Sequence, residues 1–176
     1  MALNFSLESP PFNVEYERDV RIYLTASLYN DSLTVKKTSI DGCDFLGLFA
    51  KTAFKQGEIV CVYTGDRLRT AKAIKLDDKS YLMRLGEQSY VDAMHCTNVV
   101  ARYINDCINP VGWNVVFEKY SDGGFALVRS LRYIECSEEL FVSYGKRYWL
   151  LQKPVALSTA KLLPTVLAAT AAEDQG

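Results

Sequence analysis

Histidine is almost missing from this chain: His95 is the only one in 176 residues. The five cysteines, Cys43, Cys61, Cys96, Cys107 and Cys136, are scattered, and none forms a C-x-x-C pair. A structural zinc site needs four soft ligands at close spacing, so no metal site is expected. An odd number of scattered cysteines suits free thiols in a reducing, intracellular compartment. An excess of one charge is missing too. Lys and Arg number 20 against 21 Asp and Glu, a net charge of −1. The only short basic groups are Lys36-Lys37 and Lys146-Arg147. Direct nucleic-acid binding is therefore not expected. The N-terminus shows no basic segment followed by an apolar one, which argues against secretion. The longest nearly uncharged stretch, Leu162 to Ala172, is too short to span a bilayer, and Pro164 interrupts it. No membrane association is expected. No internal repeat is visible.

Hydrophobic residues make up 49% of the chain and charged residues 23%. That balance supports one buried core, so one domain with short flanks is expected. The opening residues through Ser9-Pro10-Pro11 read as an arm, and Glu15 to Leu28 as a short helix. From Leu33 the pattern turns to β, with Asp41-Gly42 as a turn. Leu46 to Phe49 is a short apolar run. Ile59 to Tyr63 is a near-continuous apolar strand. Arg67 to Asp78 is polar with helical spacing and reads as a small insertion at 66–79. Tyr81 to Leu85 and Ser89 to Val91 read as two short strands. Thr97 to Ile104 reads as a helical turn. Val115 to Phe117 and Phe125 to Val128 flank the hairpin signal Ser121-Asp122-Gly123-Gly124. Leu140 to Val142 reads as one more strand. The expected fold class is mainly β, with the domain over 33–149 and flanks at 1–32 and 150–176.

Four segments share an order and spacing. The first is Gly47-Leu48-Phe49-Ala50, then Phe54 to Val60 with Gly57-Glu58, then Tyr63-Thr64-Gly65. The second joins Tyr81-Leu82-Met83 to Tyr90-Val91-Asp92-Ala93. The third is Arg102-Tyr103-Ile104-Asn105-Asp106-Cys107-Ile108-Asn109-Pro110. The fourth is Glu138 to Gly145 with Tyr148-Trp149. Together they resemble the signature blocks of the SET-domain protein lysine methyltransferases, over roughly Leu33 to Trp149.

The resemblance implies several small curved sheets around a knot-like crossing of the third and fourth blocks, with few helices. It implies transfer of a methyl group from S-adenosylmethionine to a lysine ε-amine, leaving S-adenosylhomocysteine. The protein substrate is expected to be a histone tail, which implies a nuclear protein. Tyr144 takes the catalytic position and Tyr81 a second wall of the lysine channel. The cofactor contacts map to Asp44, Phe45, Leu46, Asn105, Asp106 and Tyr144, with Trp149 as a platform for the adenine. Val142 and Phe117 fall at the channel positions that limit product multiplicity, with Val116 or Tyr120 as alternatives to Phe117. A protonated lysine has no lone pair, so an aromatic, desolvated channel beside a sulfonium favours the reactive neutral amine.

The chain departs from the family pattern at several points. Phe45 stands at the first glycine, a strained choice if that backbone requires φ > 0. Asp106 stands at the histidine and adds a negative charge. Val111-Gly112-Trp113 are additional residues before Asn114, and Ser137 replaces the glycine before the glutamate pair. No zinc-binding cysteine cluster follows the domain. Two alternatives stay open: a non-histone protein substrate, and a degenerate module that binds a peptide or partner without turnover.

Overall fold

In the computed structural model of the protein, residues 31–40 and 43–149 are described. The helix expected over Glu15–Leu28, the Asp41-Gly42 turn and the chain after Trp149 lie outside them. The elements are β1 (Leu33–Ile40), β2 (Cys43–Ala50), β3 (Ile59–Tyr63), β4 (Asp66–Arg69), α1 (Thr70–Ala73), β5 (Leu82–Arg84), β6 (Ser89–Asp92), β7 (Val115–Tyr120), β8 (Phe125–Ser130) and α2 (Lys146–Trp149). Two 3₁₀ turns, Val100–Tyr103 and Pro110–Gly112, complete the set. The fold is mainly β, as expected. Among the described residues no helix is long and apolar enough to cross a membrane.

Three small antiparallel sheets form: β1-β2, β3-β8-β7 and β4-β6-β5. Strands β3 and β8 read as continuous apolar runs because both faces are covered. Val60, Cys61, Tyr63, Ala126 and Val128 face the main core. Val62, Phe125 and Leu127 face a smaller cluster on the other side. Alternate residues of a strand point to opposite faces, so each run feeds two apolar layers, and an irregularity between Ile59 and Cys61 puts Val60 and Cys61 on the same side. The polar Arg67–Asp78 segment departs from its helical reading. Asp66–Arg69 pairs with β6 as an edge strand, and only Thr70–Ala73 is helical. An exposed edge tolerates the charged residues that mimicked a helix face.

The segment 138–142 is threaded between distant parts of the chain. On one side Ala50 N donates to Glu138 O (2.9 Å) and Leu140 N to Leu48 O (2.8 Å). On the other, Val142 N donates to Asn105 O (3.0 Å), and Phe141 bridges Asn105 in parallel. Leu140–Val142 is thus held by isolated bridges on both sides rather than by the ladder of a regular strand. Asn114 locks it from below. Its Nδ2 donates to Glu138 Oε1 (2.9 Å) and Glu139 O (2.8 Å), and its Oδ1 accepts from Phe141 N (2.8 Å). Asn114 is fully buried, so these bonds also satisfy its own polar atoms.

Ser137, at the turn into this segment, has φ +71. This is the left-handed region that favours glycine. Ser137→Gly is expected to stabilise the fold by roughly 0.5–1 kcal/mol, the left-handed penalty less the chain entropy that glycine loses. A urea melt should show a higher midpoint; a lower one contradicts this reading. Phe45, by contrast, carries no such strain. It lies within β2 opposite Thr38 and is not among the positive-φ residues.

Candidate active site

Tyr144 sits where the threaded segment turns into α2. Gly145, at φ +85, makes that turn. Both ends of the tyrosine are tied to one short stretch of chain. Its hydroxyl donates to Ile104 O (2.7 Å), and its backbone N–H donates to Asp106 Oδ2 (2.8 Å). Burial pushes the phenol well above the ordinary tyrosine range, and the nearby Tyr148, Tyr63, Asp106 and Tyr81 add to the shift. The hydroxyl therefore stays neutral. With its proton committed to Ile104 O, its lone pairs remain free to accept.

The same neighbours form an aromatic wall. Tyr63 donates its hydroxyl to Tyr81 O (2.6 Å) and meets Phe117 edge-to-face with centroids 5.5 Å apart. Tyr81, Phe117 and Tyr144 all pack on the main core, which contains Val142 at 2% exposure. Tyr120 instead stacks on Phe125 at the far cluster, and Val116 is exposed on β7. Of the three residues weighed for that strand position, Phe117 is the one packed against Tyr63. The Arg102 guanidinium lies 3.9 Å from the Tyr81 ring centroid and covers one face of it.

A second face is built by Asn105. Its Nδ2 donates to Leu46 O (3.0 Å) and lies 3.4 Å from Glu139 Oε1. Glu139 Oε2 accepts from Thr38 Oγ1 (2.7 Å). Burial raises the Glu139 carboxyl above the usual range, opposed by the bonds from Thr38 and Asn105. Among the described residues no lysine or arginine pairs with it. A Cβ at Gly47 would meet Glu139 Oε1 and push that carboxyl group aside. On β2, Phe45 (46% exposed) and Leu46 (47%) leave large apolar side chains open on opposite faces of the strand, Phe45 on the side of Thr38 and Glu139. Asp44 is exposed on the same strand. A carboxylate, an amide and open apolar surface together suit a ligand with a cationic amino-acid end and an apolar body.

Asp106 and Trp149 are joined through their side chains. The Asp106 carboxylate is turned inward and accepts the indole N–H groups of both Trp113 (2.9 Å) and Trp149 (2.9 Å). Trp149 also stacks on Tyr144, with centroids 5.9 Å apart and planes 13° apart. One face of the indole is thus already in use. Trp113, one of the additional residues, packs on the cluster of Ile40, Cys107 and Phe141 and donates to Asp106.

Tyr63, Arg102, Glu139 and Asn114 are the site residues that motif reading left without a role. Each lies inside a quoted block or beside one. Only their long-range partners reveal what they do. Among the described residues no three His, Cys, Asp or Glu side chains come together as a metal site.

A family model described as the SET domain matches residues 46–145, more than half of the chain. The chain belongs to the SET-domain family. Two curated relatives match over 100 residues, both named histone-lysine N-methyltransferase EHMT1. The human protein is 35% identical and the mouse protein 34%. Each match covers 53% of this chain but only 8% of the relative. The SET match contains Leu46, Tyr81, Asn105, Asp106, Phe117, Val142 and Tyr144, whereas Asp44, Phe45 and Trp149 fall just outside it.

Proposed function

We propose that this SET domain is a protein-lysine N-methyltransferase that takes its methyl group from S-adenosylmethionine, with a histone tail as substrate and the nucleus as its place of action. The observation that carries the reading is Tyr144. Its largely buried, neutral hydroxyl is bonded to Ile104 O, next to Asn105 in the chain, and its ring packs on the core that Tyr81 and Phe117 also pack against. The relatives' names support a histone as the substrate.

S-adenosylmethionine supplies the electrophilic methyl group. Asn105, Glu139 and Leu46 O would hold its amino-acid end, and the open side chain of Phe45, opposite Thr38 on β2, its apolar surface. Tyr81, Tyr63 and Phe117 line the approach of the lysine and strip water from it. Desolvation favours the neutral amine, whose lone pair attacks. The free lone pairs of the Tyr144 hydroxyl, with Ile104 O beside it, offer acceptors for weak C–H···O contacts as the methyl group polarises. Positioning the two reactants in line contributes much of the rate.

Titration with S-adenosylhomocysteine by calorimetry tests the reading. Stoichiometric binding is expected. A chain that binds none is a peptide- or partner-binding scaffold.

Neither Val142 nor Phe117 carries a hydroxyl. A tyrosine at such a position holds a water that hinders the rotation needed for further transfers. The product is therefore expected to pass beyond monomethyl-lysine to the di- or trimethyl form, read by mass spectrometry under excess cofactor. Phe117→Tyr should return it toward monomethyl-lysine with little change in the first transfer. A wild-type product that stops at one methyl group contradicts this.

A further inference from the structure

The carboxylate of Asp106 is saturated. Oδ1 accepts from Ile108 N (2.8 Å) and Trp113 Nε1 (2.9 Å); Oδ2 accepts from Tyr144 N (2.8 Å) and Trp149 Nε1 (2.9 Å). An ionised carboxylate offers about four acceptor sites. A histidine at this position could not serve four donors. The donors come from three separate stretches of chain. Trp113 belongs to the additional residues, Trp149 ends α2, and Tyr144 carries the buried hydroxyl. Ile108 is held at φ +54, a conformation that a β-branched side chain resists. Its N–H is one of the four donors, so the clasp sustains local strain of the kind that marks functional sites.

We propose that Asp106 is a positioning residue, which clasps Trp113, Trp149 and the Tyr144 backbone and thereby holds the Tyr144 hydroxyl at the point of methyl transfer. The proposal rests on the methyltransferase reading and deepens it. Tyr144 is fixed at both ends, by Ile104 O and by Asp106, on either side of Asn105. The clasp therefore ties the hydroxyl to the same three residues that carry the cofactor-facing amide. It also folds α2 onto the site through the Trp149 stack on Tyr144. Aspartate in place of histidine and the additional Trp113 are then one coupled change. A carboxylate with only Tyr144 and Trp149 to serve would leave half its acceptor sites to Ile108 alone.

Asp106→Asn tests this in the full chain. The asparagine amide must turn an N–H group toward N–H donors. Trp113 and Trp149 are the only two tryptophans, so fluorescence reports on this carboxylate directly. Emission is expected to move to longer wavelength. The turnover number should fall roughly 10- to 100-fold, the scale of a small misplacement at the reacting centre, with peptide KM changed less than about threefold. Trp113→Phe in the Asp106→Asn background removes one of the opposed donors and should restore part of the turnover. A purely structural role predicts that the two losses add. Should Asp106→Asn fail to fold, Trp149→Phe removes one donor and keeps an aromatic ring; it should lower the turnover number roughly tenfold. Wild-type turnover in the single variant that folds, or additive losses in the double variant, overturns the proposal. A wild-type chain that neither binds S-adenosylhomocysteine nor methylates removes the underlying reading instead, and the fluorescence of the ligand-free variants still shows whether the clasp exists.

Discussion

Tyr144→Phe is expected to lower the turnover number by roughly a hundredfold or more while leaving cofactor affinity nearly unchanged, the size of loss seen when one preorganised polar group at a transition state is removed. The ring is buried against Trp149 and Tyr148, and phenylalanine keeps that packing. Only the hydroxyl is lost. Its bond to Ile104 O contributes about 1 kcal/mol to stability, so the variant should fold. The backbone bond to Asp106 is untouched. The phenol is held neutral by burial, so it adds no ionisation of its own to the working pH range. A rise of kcat/KM with pH should therefore follow deprotonation of the substrate lysine, and Tyr144→Phe should keep the shape of that rise. Unchanged turnover in the variant would remove Tyr144 from the chemistry.

Asn105→Ala is expected to weaken S-adenosylhomocysteine binding by about 1–3 kcal/mol, because a positioned amide is lost and its partners are left unsatisfied. The amide joins Leu46 O and the Glu139 carboxylate, two groups far from it in sequence. Without it, Glu139 keeps only the Thr38 hydroxyl among the two bonds that oppose its burial. Its carboxyl should then rise further above the usual range. Sign matters here. A folded-state pKa above the unfolded value costs stability where the group is ionised, and the cost disappears as pH falls below the unfolded pKa. Asn105→Ala should thus lose more stability at neutral pH than in mild acid. Calorimetric titration gives the affinity. Equal affinity in variant and wild type would assign Asn105 a structural role alone.

Local pattern carried much of the fold. The β3 run and the β7–β8 hairpin around Ser121–Gly124 were legible because their periodicity and turn residues are set within a few positions. The polar edge strand β4 was not, since charge along an exposed edge and charge along a helix face look alike in sequence. Leu140–Val142 was legible as extended but not as threaded, because its partners at Leu48, Asn105 and Asn114 come from three distant segments. The candidate site divides in the same way. Tyr144, Tyr81 and Asn105 carry motif positions, and the structure gathers the first two with Tyr63 near Phe117. The Asp106 carboxylate was legible as an added negative charge, but its partners were not. Its four donors lie at separations of 2 to 43 residues, which no pattern along the chain displays. Ser137 shows the reverse case. Its place at a glycine position was visible at once, and its φ of +71 agrees with that place.

The central claim is that this chain moves a methyl group from S-adenosylmethionine to a protein lysine. Incubation of the full chain with methyl-labelled cofactor and a panel of histones and nucleosomes, followed by mass spectrometry of the labelled peptides, tests it most directly. The account predicts label on a lysine ε-amine of a histone, lowered roughly a hundredfold or more with Tyr144→Phe at matched times. Cofactor binding without label on any histone would redirect the substrate to another protein. No cofactor binding and no label on any protein would contradict the account.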